Sequence, residues 1–388
     1  MDECNQEIDT KNFLKNKNIL VIQKMGTIGG AEKNLEKIMD LFSKRHHWNF
    51  LILGPCKGLF FDRLIRNGFP CIGTKIPDWR KGRNFLLRYF YVLKHMYLLR
   101  GHTLDLIYVN DFFYAPYGFY LSKMKKIPCI VHVQSDIEKK RVHQYLIGKV
   151  EGVVVTTHST FERIKSFFDK SPNRRLFLVQ YGTEFKGSFK KNKNDNHNKR
   201  FIFGIVANVL PHKGTDFFLM LLKEIKKLGL QNWEIHWAGG DPQGIVDVLR
   251  EKILELNLED RVFFDGFLQD MDSFYDSTDC LIHIAQYEPF GIAMIEAMSY
   301  GIPIISTNTA GGIEILGDVE GGRWLVDLHD YAGLAILMKS LMDDFDGYKK
   351  TSQSFYSKFA QNYTLEIAME KMEDLFIDII NNQNGVAT

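Results

Sequence analysis

The sequence predicts an α/β protein made of two doubly wound domains, each a parallel sheet with helices on both faces. Three observations lead there. Short runs rich in Val, Ile, Leu and Phe alternate with longer segments of helical pattern, which is how the strands and crossover helices of a parallel sheet read. The alternation stops at a polar, charged tract and then starts again. A length of 388 residues also exceeds one ordinary domain and suits two.

The elements follow in order. Residues 17–22, Lys-Asn-Ile-Leu-Val-Ile, are a short apolar run suited to a buried parallel strand. Next come Gly26-Thr-Ile-Gly29-Gly30-Ala-Glu32 and a helical pattern through Leu41, which make a strand, a glycine-rich turn and a helix. Runs at 50–53, 104–109, 127–133 and 152–156 repeat the theme. The tract 186–200 holds Lys190-Lys-Asn-Lys-Asn-Asp-Asn-His-Asn-Lys-Arg200, cannot bury a face, and reads as a linker. Strands resume at 201–207, 233–238, 261–264, 279–284 and 302–307. Residues 365–380 form an amphipathic helix with Ile367, Met372, Leu375, Phe376 and Ile379 as its apolar positions. A ligand cleft between the two domains is the expected site.

Composition narrows the class. An apolar content of 45% is that of a globular protein. Five scattered cysteines in no metal-ligand spacing point to a reducing, cytoplasmic setting and not to a disulfide framework. The acidic, polar start does not read as a signal peptide, and no run approaches a membrane-spanning length. The net charge of +2 hides an asymmetry: residues 1–200 carry 36 Lys+Arg against 18 Asp+Glu, the remainder 13 against 29. A basic half implies an anionic partner. No nucleic-acid module signature accompanies it, so nucleic acid is not expected.

The most informative stretch is 288–314, which begins Glu288-Pro-Phe-Gly291-Ile-Ala-Met-Ile-Glu296. Pro289 and Gly291 mark a tight turn, and 292–298 has helical composition. The free N–H groups at such a helix start, with the helix dipole, suit a phosphate. Glu288 stands at the mouth of that site and Glu296 about two turns in. Carboxylates beside a phosphate cradle make sense bonding hydroxyls, and a nucleotide sugar offers a diphosphate flanked by two polyols.

With these residues in view, the chain resembles the retaining GT-B glycosyltransferases of family 4, the group 1 glycosyl transferases, over roughly 17–380. Four further segments fall in that family's order: Gly29-Gly30-Ala31-Glu32, Pro211-His-Lys213-Gly214-Thr-Asp216, Trp237-Ala-Gly239-Gly240 and Val262-Phe-Phe-Asp-Gly266-Phe267. The resemblance implies two Rossmann-like domains facing across a cleft, with a C-terminal helix returning to the first. The division is then 1–187 for an acceptor domain, with a crossover helix at about 362–384, 188–199 for the linker, and 200–361 for the donor domain.

The resemblance also implies roles. Lys213 neutralises the donor diphosphate, with the N–H groups of Gly291, Ile292 and Ala293 sharing that work. Glu296 accepts ribose hydroxyls and Glu288 the hydroxyls of the donor sugar. Gly29 and Gly30 cap the phosphates from the other domain. His132, read as a strand-end residue, lies near the reacting centre. Phe267 packs around the base, and Asn110 and Gln134 belong to acceptor-binding loops. Retention follows from front-face attack, with the departing phosphate taking the proton, so no base and no cofactor is required. Asn208 departs from the family pattern, which often has Arg there; an amide can hydrogen-bond but carries no charge.

Asp270-Met-Asp272 mimics a metal-binding pair, but its place at a helix start reads as N-capping, so no metal is expected. Residues 75–100 hold seven basic side chains (Lys75, Arg80, Lys81, Arg83, Arg88, Lys94, Arg100) among Trp79, Tyr89, Phe90 and other apolar residues. This composition suits an interfacial helix on anionic lipid. The expected protein is thus a hexosyltransferase peripheral on the cytoplasmic membrane face, using a UDP- or GDP-sugar and a saccharide or lipid-linked acceptor. Its rivals are a GT-B sugar-nucleotide epimerase and a non-catalytic subunit of a transferase complex.

Overall fold

The computed structural model describes residues 16–79, 85–168, 174–186 and 200–383, so the tract expected as a linker at 188–199 lies outside the described residues. The described chain divides into two compact units. One runs up to Gln180 and takes in the chain from Ala368 onward; the other is Tyr181–Ile367.

The first unit is built on seven parallel strands: β1 (Asn18–Ile22), β2 (Asn49–Gly54), β3 (Cys71–Gly73), β4 (Leu106–Val109), β5 (Cys129–Val133), β6 (Gly152–Val155) and β7 (Arg175–Leu178), in the order β3-β2-β1-β4-β5-β6-β7. Its helices are α1 (Gly30–His46), α2 (Leu59–Arg66), α3 (Phe85–Leu98), α4 (Ala115–Lys125), α5 (Lys139–Gln144) and α6 (His158–Ile164). Ile19 to Ile22 of β1 are fully buried, as a continuous apolar strand covered on both faces must be. On α1, Leu35, Ile38, Met39 and Phe42 fall at helical spacing and are buried, which fixes the face it lays on the sheet.

The second unit has six parallel strands: β8 (Phe201–Val206), β9 (Trp233–Ala238), β10 (Val262–Gly266), β11 (Cys280–His283), β12 (Ile304–Thr307) and β13 (Leu325–Val326), in the order β10-β9-β8-β11-β12-β13. The helices between and after them are α7 (Thr215–Lys227), α8 (Val246–Glu255), α9 (Met271–Ser277), α10 (Ile292–Ser299), α11 (Ala310–Leu316), α12 (Tyr331–Asp343) and α13 (Phe345–Asn362). The final helix, α14 (Leu365–Gln383), returns to the first unit, where Phe376 meets Phe42 at 5.1 Å and Trp48 at 4.9 Å between ring centroids. In each sheet the strand order reverses once, between β1 and β4 and between β8 and β11. Ligands of doubly wound sheets bind beyond the carboxyl ends of strands at such reversals.

Every interior strand falls within one or two residues of its expected place. The unexpected strands β3, β7 and β13 are all sheet edges. At an edge a strand needs neither length nor a continuous apolar run. The first unit also ends earlier than the expected 187. The Thr183 N–H donates to the Tyr363 carbonyl (3.0 Å) and the Leu365 N–H to that of Thr183 (2.9 Å), and Tyr181 sits edge-on to Phe290 at 5.1 Å. These contacts hold 181–186 to the second unit.

The expectation that no cysteine pairs is corrected. Cys56 and Cys71 form a disulfide, with Cα atoms 6.2 Å apart, while Cys129 and Cys280 are free and buried. Beyond β2 the chain turns at Cys56, with φ 50°, and so comes back to the start of β3. Linear spacing does not show that turn. The pairing also removes the cysteine argument for a reducing compartment.

Candidate functional site

Three motif segments follow the carboxyl ends of β1, β8 and β11, Trp237-Ala-Gly239-Gly240 runs off the end of β9, and Val262-Phe-Phe-Asp-Gly266-Phe267 is β10 and the residue after it. In the second unit, the loop after β8 passes through a single 3-10 turn, Pro211–Lys213, and then Gly214 before α7 starts. Gly214 has φ 97°, and a Cβ there would stand 2.0 Å from the Ile284 carbonyl oxygen. Glycine is therefore required twice over, by the backbone and by the close approach. A bond from the Gln286 N–H to the His212 carbonyl (3.0 Å) ties the same two loops.

That junction brings Lys213 to Glu288. The ammonium donates to Glu288 Oε2 at 2.8 Å, with the lysine side chain 23% exposed and the carboxylate 14%. His283, the last residue of β11, is buried, and its Nε2 lies 3.4 Å from the same oxygen. That is longer than an ordinary hydrogen bond. Burial pushes the Glu288 carboxyl up, but the bonds and charges of His283 and Lys213 outweigh it and hold the group at about 2.

Gly291 caps α10 with φ 101° and offers no side-chain acceptor, so the first N–H groups of the helix, at Ile292 and Ala293, have no intrahelical partner. Beneath the turn, the Gly311 N–H donates to the Glu288 carbonyl at 2.9 Å, and a Cβ on Gly311 would meet the Phe290 carbonyl oxygen at 2.1 Å. Glu296, half-buried about one turn into the helix, accepts the Tyr275 hydroxyl at 2.9 Å.

Other expected residues take different parts. Asn208 Oδ1 accepts the Gly240 N–H at 3.1 Å, so this side chain ties the loops after β8 and β9. Phe267 is 69% exposed at the end of β10. Asp270 caps α9, accepting from the N–H groups of Asp272 and Ser273, while Asp272 accepts the Tyr300 hydroxyl (2.6 Å) and the Lys186 ammonium (3.1 Å). Asp270 thus caps the helix as expected, while Asp272 is held by side chains instead. Among the described residues there is no group of three or more metal-ligating side chains.

In the first unit a polar chain joins three strand ends. Gln134 donates to the Asn110 carbonyl (2.6 Å) and side-chain oxygen (2.5 Å), Asn110 donates to Gln23 Oε1 (2.9 Å), and Gln23 donates to Glu32 Oε1 (3.3 Å). Glu32 Oε2 in turn accepts the Gly29 N–H at 3.1 Å. The Gly29 N–H expected for a phosphate is thus held by the chain's own carboxylate, in a capping arrangement. Burial raises the Glu32 pKa above the usual carboxylate value.

His132 is the next-to-last residue of β5, close to the strand end expected, but its side chain is buried and not open to a ligand, with Nδ1 2.6 Å from the Tyr108 hydroxyl of β4. Burial lowers its pKa to about 3, so the ring is neutral. In the segment 75–100, Arg80, Lys81 and Arg83 lie outside the described residues. Arg88 is buried, its guanidinium 5.6 Å from the Trp79 ring centroid, and does not join a basic surface. What α3 exposes is apolar: Leu86, Leu87, Phe90, Leu93 and Tyr97, with Lys94 and Arg100 beside them.

Sequence reasoning missed His283, Tyr275 and Gln23. His283 and Gln23 stand at the ends of strands flanking the two reversals, so strand ends were the available signal. Tyr275 lies on α9 and had none.

Residues 188–358 match the family described as Glycosyl transferases group 1. Among curated relatives, the Escherichia coli UDP-Gal:alpha-D-GlcNAc-diphosphoundecaprenol alpha-1,3-galactosyltransferase is 21% identical over 308 residues, 74% of this chain and 78% of that protein. The Rhizobium meliloti lipopolysaccharide core biosynthesis mannosyltransferase LpsB is 24% identical over 43% of this chain and 48% of its own. Among solved structures, Anabaena HepE in complex with UDP superposes with a TM-score of 0.77 at 19% identity, covering 93% of this chain and 100% of that one. A Rickettsia africae glycosyltransferase gives 0.78 at 16% identity, covering 95% and 99%. These likenesses establish the GT-B fold.

Proposed function

We propose that this chain, whose residues 188–358 match the glycosyl transferases group 1 model, is a retaining, nucleotide-sugar-dependent hexosyltransferase of cell-envelope polysaccharide synthesis. The observation that carries the reading is the Lys213–Glu288 pair, placed by the β8/β11 reversal at the open N-terminus of α10, with Glu296 further along the helix.

In this reading Lys213 leaves Glu288 for the diphosphate of a UDP- or GDP-sugar. It stabilises the charge that grows as the bond to the sugar breaks. The N–H groups of Gly291, Ile292 and Ala293 share that charge. Glu288 then receives sugar hydroxyls and Glu296 ribose hydroxyls, and exposed Phe267 flanks the base. Asn208 acts through the Gly239-Gly240 turn and not on phosphate. Asn110 and Gln134 hold the acceptor, while His132, neutral inside its sheet, is left out of the reacting set. The acceptor hydroxyl attacks on the face the phosphate leaves, and the phosphate oxygen takes its proton. Lys213 supplies the charge, so the reaction runs without a metal.

A lipid-linked or saccharide acceptor is supported by the diphosphoundecaprenol in the name of the Escherichia coli relative and by the lipopolysaccharide and capsular relatives. No helix among the described residues is long and apolar enough to cross a membrane. The apolar face of α3, with Lys94 and Arg100, supports peripheral binding at the cytoplasmic surface of an anionic membrane.

The experiment is a thermal-shift panel of UDP, GDP, ADP and CMP sugars followed by transfer with the stabilising donor, with and without EDTA. Lys213→Ala is expected to cut turnover roughly 100- to 1,000-fold, the cost of removing one donor to a developing oxyanion. An inverted anomeric product, or turnover untouched in Lys213→Ala, sinks the reading.

A further inference from the structure

Glu288 Oε2 has two partners, and only one of them can leave. Lys213 reaches it from a short turn on a flexible four-carbon stem. His283 cannot travel: it ends β11, pairs in register with Ser306 of β12, and its carbonyl accepts from Thr307 Oγ1 at 3.3 Å. Its side chain is 6% exposed, and the atom that faces Glu288 has no other hydrogen-bonding partner.

When Lys213 turns to a diphosphate, a buried carboxylate loses its ammonium. Left alone, such a group takes up a proton, and a protonated carboxyl accepts fewer hydroxyls. We propose that His283 is a positioning residue for the transfer. From its fixed strand it keeps Glu288 Oε2 charged and aimed while Lys213 serves the leaving phosphate, which frees Oε1 for the hydroxyls of the donor sugar. The imidazole acts with its proton on Nε2. This inference rests on the donor-site reading above.

The titratable groups meeting the carboxylate are Lys213, from the turn after β8, and His283, from β11. β12 places the uncharged Ser306 beside His283, and the start of α11 brings only the Gly311 N–H, onto the Glu288 carbonyl.

The test compares His283→Leu, which removes the donor, with His283→Gln, which keeps an N–H. Two readouts are taken: the Glu288 carboxyl titration by carbon NMR, with and without UDP, and the pH profile of kcat. In His283→Leu the carboxyl midpoint rises by about one unit or more. Its kcat falls roughly 10- to 100-fold with donor KM changed less than about threefold, as for the loss of a polar group facing a buried charge. The acid limb of kcat moves to higher pH. His283→Gln recovers most of kcat. A wild-type titration and kcat in His283→Leu overturn the inference, and so does an equal loss in both variants that tracks a lowered Tm. Absence of any transfer by the unmodified protein would instead sink the donor-site reading; the carboxyl titration judges His283 without turnover.

Discussion

The Tyr275 hydroxyl donates to Glu296 Oε2 at 2.9 Å, so the deeper carboxylate of α10 is aimed by a buried residue of α9. Tyr275 is itself stacked on Tyr300 at 5.2 Å, and the Tyr300 hydroxyl is fixed on Asp272 at 2.6 Å. Tyr275→Phe keeps the stack and deletes the aim. A hydrogen bond to a charged group contributes about 1.5–3 kcal/mol, so donor KM should rise roughly tenfold or more. Since Glu296 is assigned to ribose, kcat should stay within about threefold, for binding shared by ground and transition states. Steady-state kinetics with varied donor check this; a loss confined to kcat would reject the ribose assignment.

Membrane binding should reside in the apolar face of α3. Leu86, Phe90, Leu93 and Tyr97 recur at helical spacing and are exposed. Replacing Leu86, Phe90 and Leu93 by Ser should weaken co-sedimentation with anionic vesicles at least about tenfold, given roughly 0.8 kcal/mol per buried methylene. Folding should be spared, because these side chains touch no core. Unchanged sedimentation would move the contact elsewhere.

Acid should destabilise the first unit through its buried histidines, a loss partly offset because burial lifts Asp111 to about 6 and raises Glu32, so these carboxyls take up protons first in the folded chain. Burial holds His132 at about 3 and His95 at about 4, both below the ordinary 6.5. The unfolded chain therefore binds protons first as pH falls, so this contribution is whole above 6.5 and drains away towards 4 and then 3. Glu288 adds a loss only between 4.5 and about 2. Tm measured from pH 7.5 to 4.5 should decline, and the slope should flatten in the His95→Gln, His132→Gln double variant. Equal slopes would contradict the burial of these rings as neutral groups.

The Cys56–Cys71 bridge closes a loop of sequence separation 15. A loop of that size constrains the unfolded chain by about 3 kcal/mol. Cys71→Ser should therefore lower the denaturant midpoint by up to that equivalent, and adding reductant to the variant should change nothing further. Peptide mapping without reductant should recover the two cysteines in one fragment. Recovery as free thiols would refute the bridge.

Much of this was legible in the chain. Interior strands announce themselves as apolar runs, and glycines at 214 and 311 mark the places where loops touch. Direction is harder. A strand buried on both faces has no alternation, so nothing in Ile-Val-His-Val tells which side His132 takes. Apolar residues at most positions of 85–93 likewise leave no pattern to turn Arg88 inward. Tyr275 reaches Glu296 from a separate helix, a pairing that exists only once the sheet is assembled, and His283 meets Glu288 only because the turn after β11 folds back on the strand end.

Gly214 pressed against the Ile284 carbonyl welds two loops into one hinge-less piece. A larger residue there would displace the ammonium and the carboxylate together, with no way to tune either by itself. Evolution of donor preference is then steered away from this seam. On the proposed donor-site reading it falls to the rim after β10, where Phe267 is 69% exposed.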